Sequence, residues 1–404
     1  MGKCDIIGKI MIAPYIKETM NSKGASVIRK MFEEGIQLKK QFGQDKVFDF
    51  SLGNPDLDPP EKVVEAVRKI ADDVSHGRHG YMQNAGYSET RSAMAQKVSR
   101  EQQVTLCAEN IVMTCGAASA LNCVLKAVIS PGDEVIVPAP FFAEYRHYVN
   151  NFSGRLVEVP SNDDFSLNIE KIKSSLSEKT AAIIINTPNN PTGKIYGKSE
   201  IESLCRILSE HGKTTGRFPY LICDEPYRAI VYDNAEIPPV FGLYSESVVV
   251  SSFAKDLSLP GERIGYIAAN PKMQDCSEFI SACTFALRTL GFVNAPAFFQ
   301  KVVAQSWDAS VDYSSYKKRR DILMNILDEA GLEYCYPQGA FYLFVKVPEK
   351  WNGDDAAFCD HLKKFLILSA PGGSFGKKGY FRLAYCVAEN TIENSRNAFI
   401  NAVK

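Results

Sequence analysis

Seven apolar runs alternate with helical stretches between residues 111 and 269, and this alternation restricts the fold more than any other feature of the sequence. The runs are short and rich in β-branched residues, as expected of strands that are buried on both faces. Because strands separated by helices imply right-handed crossovers, we expect an α/β fold whose large domain has a mostly parallel seven-stranded sheet covered by helices on both faces. The predicted strands are Ile111–Thr114, Glu134–Val137, Arg155–Val159, Ala181–Asn186, Tyr220–Cys223, Val248–Ser251 and Arg263–Ala269. The helices predicted between them are Ala117–Ile129, Phe142–Asn150, Ile169–Leu176 and Lys198–Gly212.

The carboxyl-terminal part of the chain has a different pattern, which is typical of a smaller α+β domain. Its predicted elements, after a long helix over Cys276–Gln305, are a helix over Tyr313–Ala330, strands over Gly339–Val347 and Tyr380–Tyr385, and a helix over Asp354–Phe365. An amphipathic helix is predicted over Lys23–Gly43 and is expected to join this domain. The sequence therefore predicts a large domain over residues 52–300 and a small domain formed by residues 1–51 and 301–404.

The composition is that of an ordinary soluble globular protein, with 45% apolar and 23% charged residues among 404 positions. The net charge is −1 and the basic residues form no run, so neither nucleic-acid binding nor membrane-surface binding is expected. Eleven cysteines occur without a C-x-x-C pair, and five histidines form no H-E-x-x-H pattern, which favours buried thiols over disulfides or a metal site. No apolar run approaches membrane-spanning length and no targeting segment stands out, so we expect a cytoplasmic protein.

Lys255 lies just beyond a predicted strand, within the stretch SSFAKDLSLPGERIGY. Open α/β sheets bind their ligands at the carboxyl ends of their strands. Small hydroxyl residues precede this lysine and Arg263 follows it, so phosphate-binding groups accompany an amine that could form an imine with an aldehyde cofactor. A lysine in a solvated loop is the alternative interpretation, and the residues at the other strand ends help to decide between the two.

Four further segments carry residues that suit a site of this kind. The segment TCGAASAL places Gly116 at a helix N-terminus, where free N–H groups attract a phosphate. INTPNNPTG ends a strand in a turn that carries Asn190, and CDEPYR places Asp224 and Tyr227 around a proline bend. GYFRLAYC puts Arg382 inside an apolar strand, where a cation needs an anionic partner. Each feature also has a purely structural interpretation, namely a tight turn, a loop carboxylate or a structural salt bridge.

Pyridoxal 5′-phosphate is the one cofactor that uses all of these groups, since it needs a lysine, an acid at its ring nitrogen, partners for its phenolic oxygen and a phosphate site. Across nearly its whole length the sequence resembles the class I/II aminotransferases, the aspartate aminotransferase superfamily of fold type I. The motifs that carry the resemblance are, in order, SLGNPD, GYMQNAGYSETR, TCGAASAL, PAPFFAEY, NTPNNPTG, CDEPYR, SSFAK…GERIGY, PQGAFYLF and FRLAYC.

The resemblance implies a role for each residue around the cofactor ring. Lys255 would hold the cofactor covalently and move protons, and Asp224 would pair with the ring nitrogen. Asn190 and Tyr227 would bind the phenolic oxygen, and Phe142 would stack on the ring in place of the Trp or Tyr that relatives often have.

The resemblance also implies how the phosphate is bound. Gly116, Ala117 and Ala118 would contribute main-chain groups, with Ser252 and Arg263 beside them. Many relatives have a hydroxyl residue or a lysine where this chain has Ala117 or Ala118, so the phosphate would depend more on Arg263 and on main-chain N–H groups.

The remaining implied roles concern the substrate and the partner subunit. Arg382 would bind the substrate α-carboxylate through two parallel hydrogen bonds, with Gly53 and Asn190 completing that pocket. Tyr81 would reach the phosphate of a neighbouring subunit, so that a homodimer shares its active sites. Arg288, in FALRTLGFVNAP, is the candidate for the distal carboxylate of an acidic substrate, although a helix-surface position is the alternative.

The predicted function is thus transfer of an amino group between an L-amino acid and a 2-oxo acid. An aspartate-, alanine- or aromatic-type donor is left open, with an aspartate-like donor slightly favoured. A C–S β-lyase on the same scaffold is the main alternative. A non-catalytic pyridoxal-phosphate-binding regulator would need an attached DNA-binding module, and a nucleotide-binding protein would need a glycine-rich phosphate motif; the sequence has neither.

Overall fold

The computed structural model describes residues 12–21 and 27–404, which form a large α/β unit and a smaller α+β unit. The described strands are β1 (Phe48–Asp49), β2 (Ile111–Thr114), β3 (Glu134–Ala139), β4 (Arg155–Pro160), β5 (Thr180–Asn186), β6 (Tyr220–Asp224), β7 (Ser247–Ser252), β8 (Gly265–Ala269), β9 (Tyr334–Cys335), β10 (Tyr342–Lys346), β11 (Ile367–Leu368), β12 (Ala370–Pro371) and β13 (Tyr380–Ala384). The described α-helices are α1 (Pro14–Asn21), α2 (Val27–Phe42), α3 (Glu61–Ala71), α4 (Ser88–Gln102), α5 (Ala117–Val128), α6 (Tyr145–Asn150), α7 (Ile169–Ser175), α8 (Lys198–Thr215), α9 (Phe253–Asp256), α10 (Cys276–Thr289), α11 (Ala297–Ser306), α12 (Ser314–Glu329), α13 (Asp355–Leu362), α14 (Glu389–Asn394) and α15 (Arg396–Val403).

The central sheet has seven strands in the order β2-β8-β7-β6-β5-β3-β4, which confirms the predicted mostly parallel sheet. Only β8 runs antiparallel to its two neighbours within this sheet. Strands β3 to β7 are parallel, so their carboxyl ends lie along one edge of the sheet.

Both faces of the sheet are covered, as its apolar strands require. Successive strand residues point to opposite faces, so Ile183 and Ile185 join one buried cluster while Ala182 and Ile184 join the other. The core of the large unit is therefore two apolar layers with the sheet between them.

The smaller unit is built on the antiparallel sheet β12-β13-β10-β9 and on a separate parallel pair formed by β1 and β11. Its apolar cluster includes Met31 of α2 and Phe50, so residues from the amino-terminal part pack into the carboxyl-terminal part. The domain boundaries at residues 52 and 300 stay a prediction. Among residues 12–21 and 27–404, no helix combines the length and the apolar character needed to cross a bilayer.

The predicted continuous helix over Cys276–Gln305 is wrong, because the chain breaks it into α10 and α11. Gly291 has a φ of +88° and Val293 a φ of +63°, values that end a helix, and Pro296 precedes the first residue of α11. The helix predicted from Phe142 also begins later, at Tyr145. The predicted helix over Lys23–Gly43 is described from Val27 onwards, and its first four residues lie outside the described residues.

Candidate active site

Three adjacent parallel strands end at the centre of the site. Asp224 is the last residue of β6, where it pairs in register with Asn186 of β5 on one side and Val250 of β7 on the other. Lys255 follows β7 on the short helix α9. The side chain of Asn186 donates to the Asp224 carbonyl at 2.8 Å and accepts from the Asn190 N–H at 2.7 Å. Strand order therefore brings together residues that are up to 69 positions apart in the sequence.

The Lys255 amine lies in an aromatic, partly buried environment. Its Nζ donates to the Gly53 carbonyl at 2.8 Å and lies 5.3 Å from the ring centroid of Phe341. Burial, with smaller effects from the Arg382 and Arg263 guanidinium groups, lowers the pKa of Lys255 to about 8. A lysine with this pKa is neutral in a useful fraction of molecules near neutral pH, as a nucleophile and base must be.

The Asp224 carboxyl group is 4% exposed and only half satisfied. Its Oδ2 accepts a 2.5 Å hydrogen bond from the fully buried Tyr145 hydroxyl, whereas Oδ1 has no hydrogen-bond partner among the described residues. Burial, and to a smaller degree the Glu225 carboxylate, raises the pKa of Asp224 to about 7, although the bond from Tyr145 opposes the rise. A buried, unpartnered carboxylate oxygen is costly, so this one calls for a cationic N–H group as its partner.

The turn between β2 and α5 lies beside the same cavity and has the features that suit an anion. Gly116 precedes α5 with a φ of +87°, and a Cβ at this position would lie 2.7 Å from the Arg263 guanidinium. Ala117 and Ala118 begin the helix, whose first N–H groups are free to bind an anion. Ser252, at the end of β7, completes this group of residues.

Tyr227, Tyr342 and Gly53 form a closely packed group next to the Lys255 amine. The hydroxyl groups of Tyr227 and Tyr342 are 2.8 Å apart, and both residues are buried. A Cβ at Gly53 would lie 2.0 Å from the Tyr342 hydroxyl oxygen, so only glycine allows this approach.

Arg382, on β13, is 4% exposed and faces the site. It donates to the Asn190 side chain at 2.9 Å and to the Ser51 carbonyl at 2.7 Å, while its Nε has no hydrogen-bond partner among the described residues. These acceptors are neutral, so the positive charge lacks the carboxylate that a structural salt bridge would supply. A carboxylate ligand would supply it.

One cavity of about 960 Å³ brings most of the predicted residues together. Gly116 is not among its lining residues, but the next residue, Ala117, is, and Arg263 lies against the Gly116 backbone. Tyr81 and Arg288 do not line it: Tyr81 is 93% exposed, and Arg288 is an exposed residue near the end of α10 with its guanidinium 5.3 Å from the Phe285 ring. The predicted residues that line it are Gly53, Ala117, Ala118, Phe142, Asn190, Asp224, Tyr227, Ser252, Lys255, Arg263 and Arg382.

This cavity fits pyridoxal phosphate on three structural grounds. The unpartnered Asp224 oxygen suits a protonated ring nitrogen. The glycine turn allows the Arg263 guanidinium to approach the backbone next to a helix N-terminus, which suits a phosphate. Lys255 offers an amine with a lowered pKa in the same cavity.

Sequence reasoning missed Tyr145 and Tyr342, although both lie in motifs that it used, PAPFFAEY and PQGAFYLF. A buried tyrosine generally needs a hydrogen-bond partner, and that rule could have singled them out. Their partners, Asp224 and Tyr227, are 79 and 115 positions away, so only the tertiary structure identifies them.

Comparison with known proteins gives one consistent result. The profile of the family described as aminotransferase class I and II matches residues 45–399. The aspartate/prephenate aminotransferase of Thermus thermophilus is 30% identical over 371 residues, which cover 91% of this chain and 93% of that protein. An amino transferase structure from Eubacterium rectale has a TM-score of 0.92 at 36% identity, over 97% of this chain and 98% of its own. An aspartate aminotransferase structure from T. thermophilus with maleate has a TM-score of 0.86 at 27% identity, covering 97% and 99% of the two chains.

Proposed function

This chain belongs to the class I and II aminotransferase family, whose members use pyridoxal 5′-phosphate, and on that premise we propose how its residues divide the reaction between them. The reaction is transfer of an amino group between an amino acid and a 2-oxo acid, and relatives named aspartate aminotransferases favour an aspartate-like donor. The observation that carries the proposal is the presence, in one cavity, of Lys255 and the unpartnered carboxylate oxygen of Asp224.

Pyridoxal phosphate, when bound, supplies an aldehyde carbon and a protonated ring that withdraws electrons from the substrate Cα. Asp224 keeps the proton on the ring nitrogen through its free Oδ1, and Tyr145 holds that carboxylate through Oδ2. Asn190 and Tyr227 bind the phenolic oxygen, and Phe142 stacks on the ring. The pairing of Asp224 with a cation offsets the burial that raises its pKa in the free protein.

Lys255 is first the covalent anchor and then the general base. Its Nζ would hold the cofactor through the aldehyde carbon and, once the substrate amine has freed it, would take up and give back the substrate proton as a neutral base. The lowered pKa of about 8 supports this role, because the base must be unprotonated when the substrate arrives.

Arg382 binds the substrate α-carboxylate and thereby orients the Cα–H bond toward Lys255. Its buried charge, with an unpartnered Nε and neutral acceptors, supports this role. Gly53 and Asn190 complete the pocket, and Gly116, Ala117, Ala118, Ser252 and Arg263 bind the phosphate.

We also propose that the chain forms a homodimer with shared sites, in which Tyr81 contacts the cofactor phosphate bound by the partner subunit, and that Arg288 binds the distal carboxylate of an acidic substrate. The 93% exposure of Tyr81 in the single chain and its absence from that chain's own cavity support the shared site. A cytoplasmic location is a further proposal, supported by ten described cysteines that are all free thiols.

A panel of amino donors with 2-oxoglutarate, pyruvate and oxaloacetate as acceptors tests the function. We expect the highest kcat/KM with L-aspartate and 2-oxoglutarate, and oxaloacetate as a product. Release of pyruvate from cystathionine without any oxo-acid acceptor, at a rate above transamination, would instead indicate the β-lyase.

A further inference from the structure

Tyr342 lines the cavity, is 2% exposed and has no role in the division of labour proposed above. It lies on β10 and contacts residues from both ends of the site, Tyr227 on the cofactor side and Arg382 on the substrate side. We propose that Tyr342 is a positioning residue for transamination, which orients the hydroxyl proton of Tyr227 toward the cofactor and fixes the plane of the Arg382 guanidinium. This inference rests on the proposed roles of Tyr227 and Arg382.

The hydroxyl group of Tyr342 determines which way the Tyr227 hydroxyl can donate. The two tyrosine hydroxyl groups are 2.8 Å apart, and each carries a single proton that it can donate. If Tyr227 donates its proton to the phenolic oxygen of the cofactor, it must be the acceptor in its bond with Tyr342. A donor at position 342 therefore selects the one orientation of the Tyr227 hydroxyl that is useful to the cofactor.

The position of Tyr342 is itself fixed by its surroundings. The Tyr342 hydroxyl packs directly against the backbone of Gly53, so closely that a Cβ on Gly53 would lie 2.0 Å from the hydroxyl oxygen. The hydroxyl therefore cannot move further toward the segment that follows β1. The same Gly53 offers its carbonyl to Lys255 at 2.8 Å. The hydroxyl pair thus belongs to a rigid group of residues that also holds the catalytic amine.

The ring of Tyr342 restricts the orientation of the Arg382 guanidinium. The Arg382 guanidinium lies 4.6 Å from the Tyr342 ring centroid and 4.8 Å from that of Phe375. Two aromatic contacts restrict the tilt of the guanidinium, and hydrogen bonds to Asn190 and Ser51 fix its position along the plane. The hydroxyl and the ring therefore have separate tasks, which separate substitutions can distinguish.

The hydroxyl is tested by the absorbance of the bound cofactor as a function of pH. A hydrogen bond donated to the phenolic oxygen stabilises the deprotonated form, so losing it raises the pH midpoint of the absorbance transition. We expect Tyr227→Phe to raise the midpoint most and Tyr342→Phe to raise it by about 0.5 to 1 unit, the size of one neutral hydrogen bond. In the double variant, Tyr342→Phe should add nothing. Tyr336→Phe, which removes a hydroxyl bonded to Asp233 outside this cavity, is the matched control and should leave the midpoint unchanged.

The outcomes separate the inference from the proposed function. If Tyr227→Phe raises the midpoint but Tyr342→Phe leaves it unchanged, the role of Tyr342 is overturned and that of Tyr227 stands. If Tyr342→Phe shifts the midpoint equally with and without Tyr227→Phe, Tyr342 does not act through Tyr227. If Tyr227→Phe has no effect, the proposed role of Tyr227 fails and the inference fails with it.

The ring is tested by the binding of maleate to the pyridoxal-phosphate form of the enzyme, measured as a dissociation constant. Tyr342→Phe keeps the ring and should change the constant by less than about twofold, whereas Tyr342→Leu removes it and should weaken binding about 2- to 30-fold. Arg382→Lys, as the reference for loss of the carboxylate site, should weaken binding more. Wild-type affinity in folded Tyr342→Leu would overturn this part of the inference; should that variant fail to fold, weakened binding in Tyr342→Phe would overturn it instead.

Discussion

At the scale of single residues, Asp224 is a carboxyl group held almost entirely out of water. In the cofactor-free protein its pKa is raised from the ordinary value of 3.8 to about 7, mainly by burial. Such a carboxyl group is protonated in both states below its unfolded pKa, and there it costs no stability. As the pH rises from that value through about 7, the unfolded chain ionises more readily than the folded one, so the free energy of unfolding falls. Burial disfavours the ionised Asp224 carboxylate in the cofactor-free protein. The same burial would strengthen its interaction with a protonated cofactor ring.

We therefore predict that Asp224→Asn stabilises the cofactor-free protein at pH 8 by about 2–4 kcal/mol, with a smaller effect at pH 5. Urea unfolding at the two pH values measures this difference. Asp233→Asn should behave in the opposite way and destabilise the protein at both, because Arg320 lowers the pKa of Asp233 to about 2. A wild-type protein that is more stable than Asp224→Asn at pH 8 would contradict the prediction.

Arg382→Ala should reduce kcat/KM roughly 30- to several-thousand-fold, because the substrate α-carboxylate loses a buried cationic partner. This factor corresponds to a loss of about 2–5 kcal/mol in transition-state stabilisation. Steady-state kinetics with the preferred donor measures the loss. Arg155→Ala removes a guanidinium whose side chain is 67% exposed and which is not among the residues lining the cavity, so this variant should keep wild-type kinetics. Equal kinetics for Arg382→Ala and the wild type would remove the carboxylate role.

At the scale of elements, the turn between β2 and α5 combines a backbone requirement with a ligand contact. Gly116 and Gly132 both have a φ of +87°, but only Gly116 has the Arg263 guanidinium where a Cβ would be, while Gly132 has no atom within 4 Å. Alanine strains the backbone at both positions, and at Gly116 it also displaces the guanidinium of Arg263, the arginine proposed to bind the phosphate.

The expected result is that both variants lose thermal stability, but only Gly116→Ala loses affinity for pyridoxal phosphate, by tenfold or more. Titration of the cofactor-free proteins, followed by absorbance, gives the two dissociation constants. If Gly132→Ala loses as much affinity as Gly116→Ala, the effect comes from general loss of stability and the contact with Arg263 is irrelevant.

The elements also mark how far sequence reasoning reaches. Most strands of the central sheet were predictable because a strand buried on both faces is a continuous apolar run such as Ile111–Thr114, whereas the edge strand β4 is partly exposed and was recognised by its position in the alternating pattern. The break between α10 and α11 was missed because the apolar pattern continues through Leu290 and Phe292, although Gly291 and Pro296 are the sequence signals that mark it.

At the scale of the whole molecule, the site is formed where the two units meet. Asp224 ends strand β6 of the central sheet and Lys255 lies on α9 directly after β7, whereas Arg382 and Tyr342 come from the smaller antiparallel sheet. Residues within family motifs, such as Asp224 in CDEPYR, could be assigned roles from the sequence alone. The bonds from Tyr145 to Asp224 and from Tyr342 to Tyr227 depend on how strands and helices pack, so the sequence alone does not reveal them.

The shared-site dimer has a test at this scale. A mixed dimer of Lys255→Ala and Tyr81→Ala chains contains one site with an intact lysine from one chain and an intact Tyr81 from the other. We predict that this dimer recovers about half of the wild-type activity, although each parent dimer is impaired. If mixing restores nothing beyond the activity of the Tyr81→Ala parent, Tyr81 does not act across the interface.

The central claim is that the Lys255 amine, beside a buried carboxyl group, carries the cofactor covalently. The most direct measurement is borohydride reduction of the pyridoxal-phosphate-loaded enzyme, followed by proteolysis and mass spectrometry of the peptides. The account predicts a single pyridoxyl-phosphate group on the peptide that contains Lys255, and its loss in Lys255→Ala. A group attached to another lysine, or wild-type labelling of Lys255→Ala, would contradict it.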